Sequence, residues 1–323
     1  MTISVQNLTK IYKRRLLTQG QYSILKNFLK PTYEKVQALC NISLTIGQGE
    51  MVGLIGPNGA GKSTLIKILS GILVPTSGDV RVLEHIPWAH NKTCQSQISL
   101  IIGQKTQLWW DLPALDSYEL LKAVYHIAAN DFDKRLARLS EMLNVTDLLN
   151  VPIRELSLGE RIKTELIGGL LHNPKIIFLD EPTIGLDLSA QYQIRSFLRE
   201  YNSLTNASII LTSHYVRDIE SVCDRIVVLH KGQFYYDGTQ DALSEKFIPY
   251  KKLMIHHQPG EYSWRLDPSV VNTSPDQASA YLPVDQVDDF IALVVSQSPI
   301  YEVVVEDETL EDLIRRIYNR LSK

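Results

Sequence analysis

The chain has 323 residues, 44% of them apolar, with 33 Lys and Arg against 36 Asp and Glu and a formal charge of −3. That length admits two domains or one large one with an ample core, and the charge excludes bulk affinity for nucleic acid. Three cysteines, Cys40, Cys94 and Cys223, are too scattered for a disulfide framework or a metal cluster and point to a reducing cytoplasm.

In chain order, Ile3 and Val5 mark a first strand with a connection ending at Tyr12, and these first residues lack the apolar core of a signal peptide. Between Lys10 and Lys35 stand seven basic residues, Lys10, Lys13, Arg14, Arg15, Lys26, Lys30 and Lys35, against the single acid Glu34. Ile24, Leu25, Phe28 and Leu29 fall on one helical face there, and Pro31 ends the run. This stretch reads either as a basic amphipathic helix for a membrane surface or partner, or as a solvated loop with its apolar stripe on the core. Ile42, Leu44 and Ile46 alternate as a strand before the turn Gly47-Gln48-Gly49.

The stretch Met51 to Thr64 then organises the chain. A short apolar run from Met51 to Ile55 breaks into Gly56, Pro57, Asn58, Gly59, Ala60 and Gly61, and passes through Lys62, Ser63 and Thr64 into a helix-spaced Leu65, Ile66, Ile68 and Leu69. Strand, glycine loop and helix with G-x-x-x-x-G-K-S at the junction make a phosphate loop. Glycines let backbone N–H groups turn toward a polyphosphate, and the helix aims its positive end at the same anion. Lys62 is suited to the β- and γ-phosphates and Ser63 to Mg²⁺.

Strands are expected at Asp79–Val82 and Ser99–Ile102, and residues 114–149 read as one all-helical stretch with stripes such as Leu120, Leu121, Val124 and Ile127, then Leu136, Leu139 and Leu143. Two tryptophans, Trp109 and Trp110, precede it. Ser157 followed by Glu160 is a capping box that opens a helix to about His172. Further strands fit Lys175–Leu179, Ser208–Thr212, Arg225–Leu229 and Gln233–Tyr236, with a helix over Ala190–Tyr201 and a turn at Lys231-Gly232. The alternation predicts a mostly parallel α/β sheet covered on both faces. Residues 244–323 hold 8 basic and 13 acidic residues against 25 and 23 before them, and read as a small α/β appendage for packing or dimerisation. No stretch approaches about 18 consecutive apolar residues.

Several polar residues sit at the ends of buried strands, where open parallel sheets bind ligands. Asp180 is suited to hold Mg²⁺ and Glu181 to polarise an attacking water. His214 is suited to reach a γ-phosphate or the nucleophilic water, and Gln104 to contact both Mg²⁺ and water.

In this light the chain resembles the ATP-binding subunits of ABC transporters over roughly residues 1–240, with six motifs in order. Gly56–Thr64 matches the Walker A loop, Gln104 the Q-loop, Leu156–Glu160 the signature, Ile176–Glu181 the Walker B strand, Gly185-Leu186-Asp187 the D-loop and His214 the switch histidine. The resemblance implies a P-loop NTPase cassette over 1–243, with a RecA-like parallel core, an antiparallel β portion and a helical subdomain at about 105–158. The accessory domain would follow at 244–323. It further implies ATP and Mg²⁺ as ligands, Tyr12 stacking on adenine, Glu181 as base, and Ser157, Gly159 and Asp187 contacting nucleotide across a head-to-tail dimer. The partners implied are a membrane permease, docking near Gln104, Trp109 and Trp110 unless the two tryptophans are buried within the helical subdomain, and a second ATP-binding subunit, identical or related. That places the chain on the cytoplasmic face of the membrane. The signature departs from Leu-Ser-Gly-Gly-Gln by Leu158 and Glu160, and with the separate C-terminal domain it looks most like exporter-type subunits. A soluble ABC-type ATPase acting on ribosomes or DNA is the alternative, and the single uninterrupted cassette counts against it. With Lys62, Asp180, Glu181 and His214 in place, a degenerate module is disfavoured.

Overall fold

In the computed structural model, which describes residues 2–16, 32–103, 105–213, 215–246, 250–267 and 269–322, the chain opens on two long strands. β1 (Ile3–Leu16) and β2 (Thr32–Ile46) pair antiparallel from Ile3 opposite Ile46 to Leu16 opposite Thr32. They run further than the alternation at Ile42, Leu44 and Ile46 indicates. The amphipathic face read around Ile24–Leu29 lies outside the described residues. β3 (Met51–Ile55) is buried at every residue, α1 (Lys62–Leu69) follows, and β4 (Ser77–Val82) returns to β1. That last pairing reaches only from Ile3 to Thr9, so beyond it β1 and β2 form a two-stranded ribbon on a three-stranded sheet ordered β2-β1-β4.

After α2 (Lys92–Gln95) and β5 (Ile98–Ile102) come three helices: α3 (Ala114–Val124), α4 (Ala129–Met142) and α5 (Leu158–Leu170). The helical stretch is broken at residues 125–128, where His126 takes a left-handed φ of 53°. In α3 the buried face is Ala114, Ser117 and Tyr118, while Leu120 and Val124 of the expected stripe are exposed. The Tyr118 hydroxyl donates to the Thr164 carbonyl at 2.8 Å, which fixes the rotation of α3 against α5. Leu136, Leu139 and Leu143 are buried as the spacing predicts.

The remaining elements of this part are β6 (Ile176–Asp180), α6 (Leu188–Thr205), β7 (Ser208–Thr212), α7 (Val216–Val222), β8 (Arg225–His230) and β9 (Gln233–Thr239). They complete a six-stranded sheet ordered β5-β6-β7-β3-β8-β9, parallel from β5 through β8. Lys231 and Gly232 both take positive φ, the two-residue turn that folds β9 back on β8. Continuous apolar runs at β3, β6 and β7 suit strands covered on both faces. Leu65, Ile66, Ile68 and Leu69 of α1 share one core with Ile3, Val5 and Val80 of the antiparallel sheet and Val52, Phe178 and Ile210 of the parallel one. Both sheets therefore hold the helix that begins at the glycine loop.

The chain divides into two compact units, Met1–Gly238 and Thr239–Lys323. The second contains α8 (Gln240–Lys246), β10 (Tyr250–His257), β11 (Val270–Ser274), β12 (Gln277–Pro283), α9 (Val287–Gln297), β13 (Ile300–Asp307) and α10 (Leu310–Ser322). Its antiparallel sheet is ordered β11-β12-β10-β13, and its own core joins Leu253, Ile255, Ala280 and Leu282 to Trp264, Phe290 and Val294. Among the described residues no helix is long and apolar enough to cross a membrane. A chain ending after Thr239 is expected to fold and bind ATP like the full chain in equilibrium dialysis, and loss of binding would refute an independent first unit.

Candidate nucleotide site

The glycine loop is shaped by close approaches that exclude side chains. A Cβ on Gly56 would sit 2.6 Å from the Leu229 carbonyl, and one on Gly61, whose φ is 112°, 2.6 Å from that of Ala38. Gly61 caps α1 with no side chain, so no side-chain acceptor closes the N–H groups of its first turn. Gly59, at φ 80°, has open space where its Cβ would stand. Lys62 is buried, and its ammonium donates to the Gly56 carbonyl at 2.6 Å and more weakly to Pro57. Burial pushes its pKa down, and the carboxylates of Glu181 and Asp180 oppose that shift. An uncapped helix start beside a buried ammonium fits a polyphosphate.

Three elements converge on Asp180 at the end of β6. The Ser63 hydroxyl donates to its Oδ1 at 3.1 Å, and the Thr212 hydroxyl of β7 donates to the same atom at 2.7 Å. Among the described residues no three His, Cys, Asp or Glu side chains could hold a metal alone. A hydroxyl and one carboxylate suit an ion such as Mg²⁺, which takes its remaining ligands from phosphate and water. Glu181 follows with a left-handed φ of 55°, and its N–H donates to both the Thr212 hydroxyl and the Thr212 carbonyl at 3.1 Å. Gly103 passes so close that a Cβ there would lie 2.1 Å from the Glu181 carbonyl. Gln104 and His214 themselves lie outside the described residues, but their neighbours Gly103 and Ser213 sit at the ends of β5 and β7 in this sheet edge.

Ser213 also belongs to a cluster that the sequence did not reveal. Asp218 of α7, fully buried, accepts from the hydroxyls of Thr183 and of Ser213, the latter at 2.7 Å, and is paired with Arg195 of α6 at 2.8 Å. It binds the segment after Glu181 to the segment around position 214. A lone Asp in the polar run before Cys223 gave no signal of this.

Tyr12, on the ribbon, is partly exposed, with its hydroxyl 3.5 Å from the Thr64 hydroxyl and the Lys10 ammonium 5.2 Å from its ring centre. The phosphate-loop helix and the expected adenine-stacking ring are thus neighbours.

Ser157 caps α5 in the expected capping box. Its N–H and hydroxyl donate to Glu160 at 2.9 and 2.7 Å, and the Glu160 N–H returns a bond to the Ser157 hydroxyl. Gly159 approaches Ala190 of α6, whose N-cap Asp187 accepts from the Ala190 N–H at 2.9 Å. A Cβ on Gly185 would meet the Leu158 side chain at 3.3 Å, so signature and D-loop segments touch within one chain. Among the described residues, Ser157 and Gly159 make no hydrogen bond to the glycine loop. Leu158, Leu188 and Tyr192 remain exposed around this junction, and Trp109 and Trp110 are each about half exposed. Further along α5, the buried carboxylate of Glu165 accepts from the N–H groups of Gln107 at 3.0 Å and Leu108 at 3.3 Å. Burial raises its pKa, against the pull of those bonds.

Comparison with known proteins agrees with this geometry. The ABC transporter family model matches residues 39–184. The chain is 30% identical over 218 residues to the linearmycin resistance ATP-binding protein LnrL of Bacillus subtilis, covering 68% of this chain and 70% of that one. It is 29% identical over 210 residues to the ABC transporter ATP-binding protein NatA of the same organism, covering 65% and 85%. It is 33% identical to the human cholesterol transporter ABCA5, over 70% of this chain but only 14% of that protein. A solved ATP binding subunit of an ABC transporter superposes with a TM-score of 0.63 at 25% identity, over 76% of this chain and 93% of that one. A dimeric cassette bound to ADP and Pi shares the fold, with a TM-score of 0.60 at 24% identity over 73% and 98%. The chain belongs to the ABC transporter ATP-binding proteins and is an ATPase of that family.

Replacing Asp218 with Ala leaves the Arg195 guanidinium without its buried partner, a loss of about 3–5 kcal/mol. Thermal unfolding should show a large drop in Tm, and an unchanged Tm would remove the cluster from the account. The hydroxyl and N–H of Ser157 hold the Glu160 pKa below its ordinary value. A depressed folded pKa stabilises above the unfolded value and loses that contribution as pH falls through the folded one. Glu160→Ala should therefore lower Tm slightly at neutral pH, with the difference from wild type closing in acid.

Proposed function

We propose that this subunit powers export through a separate membrane permease, by ATP-dependent closure of two cassettes, identical or related. The observation that carries the reading is the exposed apolar trio Leu158, Leu188 and Tyr192 beside Ser157, Gly159 and Asp187. Residues 188 and 192 lie one turn apart on α6, so they present one face. Signature donors that make no hydrogen bond to their own glycine loop among the described residues, rimmed by exposed apolar side chains, are suited to the nucleotide of a second subunit. Exposed Trp109 and Trp110 are suited to a permease helix. The export direction draws on the likeness to a resistance protein and on the Ser-Leu-Gly signature.

Within the site, Lys62 and the first N–H groups of α1 receive the β- and γ-phosphates, and Tyr12 takes the adenine ring. Ser63, Asp180 and Gln104 are the residues to hold Mg²⁺, which when bound neutralises charge between the β- and γ-phosphates. Glu181 takes a proton from the attacking water, and His214 orients the γ-phosphate. Ser157 and Gly159 of the opposing subunit donate to that phosphate, with Asp187 beside them.

Glu181→Gln removes the base and leaves the phosphate cradle, so ATP turnover should fall by about 10²-fold or more while ATP binding persists. Used as bait with ATP on detergent-solubilised membranes, this variant should retain a polytopic membrane protein in stoichiometric amount. Ribosomes or nucleic acid in its place, or normal turnover by the variant, would overturn the reading.

A further inference from the structure

The seven basic residues between Lys10 and Lys35, against one acid, give that stretch a charge of +6 within a chain of −3. The remainder therefore carries −9, from 26 basic and 35 acidic residues. The stretch is thus opposite in charge to the rest of the sequence.

The register of the ribbon sorts this charge further. Directly opposed residues of an antiparallel pair share a face, and alternate pairs lie on opposite faces. Tyr12 with Val36 and Arg14 with Glu34 make one face, the one whose Tyr12 hydroxyl lies near Thr64. Ile11 with Gln37, Lys13 with Lys35 and, from the second strand, Tyr33 belong to the other. The only acid of the stretch thus falls on the nucleotide-side face, and the charged described side chains of the opposite face, Lys13 and Lys35, are both basic and stand beside an exposed Tyr33.

Lys13 directly opposite Lys35 is unfavourable for the protein alone. Both are exposed, and neither has an ion-pair partner among the described residues. Among the described residues no third strand pairs with them, since β4 leaves β1 at Thr9. A two-stranded ribbon is the least stable form of sheet, and a like-charged pair weakens it more.

We propose that this cationic face of the ribbon rests on the anionic headgroups of a lipid bilayer. A planar anionic surface attracts Lys13 and Lys35 and repels the acidic residues of the remainder. Lys and Arg near such a surface each add attraction that decays within a screening length. Tyr33 supplies the amphipathic ring that favours the membrane–water boundary. A flexible polyanion such as DNA would also meet the acidic body, which opposes it. The proposal needs no permease, so its failure and the failure of the transporter reading are separable.

The test is co-sedimentation of the full chain with phosphatidylcholine vesicles, with and without phosphatidylglycerol. Binding is expected only to the phosphatidylglycerol vesicles and should be lost at high salt. Lys13→Glu places an acid opposite Lys35, so it should keep or raise Tm and leave ATP binding intact. It should nevertheless weaken vesicle binding by about tenfold. Lys13→Gln/Lys35→Gln, which adds no new pair, should weaken it too. Equal binding to neutral vesicles, undiminished binding by the variants, or no vesicle binding at all would overturn the proposal. So would Lys13-dependent retention of double-stranded DNA in place of vesicles.

Discussion

Oδ1 of Asp180 accepts from Ser63 at 3.1 Å and from Thr212 at 2.7 Å, and so joins the helix after the glycine loop, the central strand β6 and its neighbour β7 at a single atom. A buried carboxylate is costly unless hydrogen bonds replace its water. The two hydroxyls do so, and in doing so they fix where the glycine loop stands relative to the sheet edge. Thr212 then serves twice, because its hydroxyl also accepts from the Glu181 N–H. The left-handed backbone at Glu181 is held by that bond and by the close passage of Gly103. The expected base is thereby carried on backbone held from two sides.

A second fixed body lies around Ser157. The departure of this signature from Leu-Ser-Gly-Gly-Gln has a local explanation: Leu158 packs toward Gly185, and Glu160 turns inward to close the capping box. Glu160 spends its charge on Ser157 and on the positive end of α5, where a carboxylate is favourable. The substitutions therefore tie the signature to the D-loop of the same chain without removing the Ser157 N-cap or the small Gly159.

Much of this was legible because the signals were local. The run Met51–Ile55 with the glycines after it marks strand, loop and helix, and the Ser157–Glu160 spacing marks a helix start to the residue. Long-range constraints were not legible. Leu120 and Val124 hold helical spacing yet face outward, because a tyrosine bond to another helix sets the rotation of α3. The seven-residue α7 has no side-chain cap and follows a polar start, so it gave no pattern, and with it Asp218 and its cluster went unseen. β11, Val270–Ser274, hides among Pro, Asp and Ser because an edge strand needs little apolar sequence. The length of the ribbon was hidden for a related reason: its outer residues are charged on both strands, and only the pairing shows them to be sheet.

The carboxylate of Glu165 holds the backbone of Gln107 and Leu108 to α5, eight residues along the same helix from Ser157. At 1.5 Å per residue that is a rigid arm of about 12 Å. One end is anchored to the segment bearing Trp109 and Trp110, and the other presents the signature cap. The connection joins two consecutive backbone amides to one buried carboxylate, so the tryptophan segment and the signature cap are both referred to the same helix. A change in the direction of that helix would therefore be felt at both ends at once.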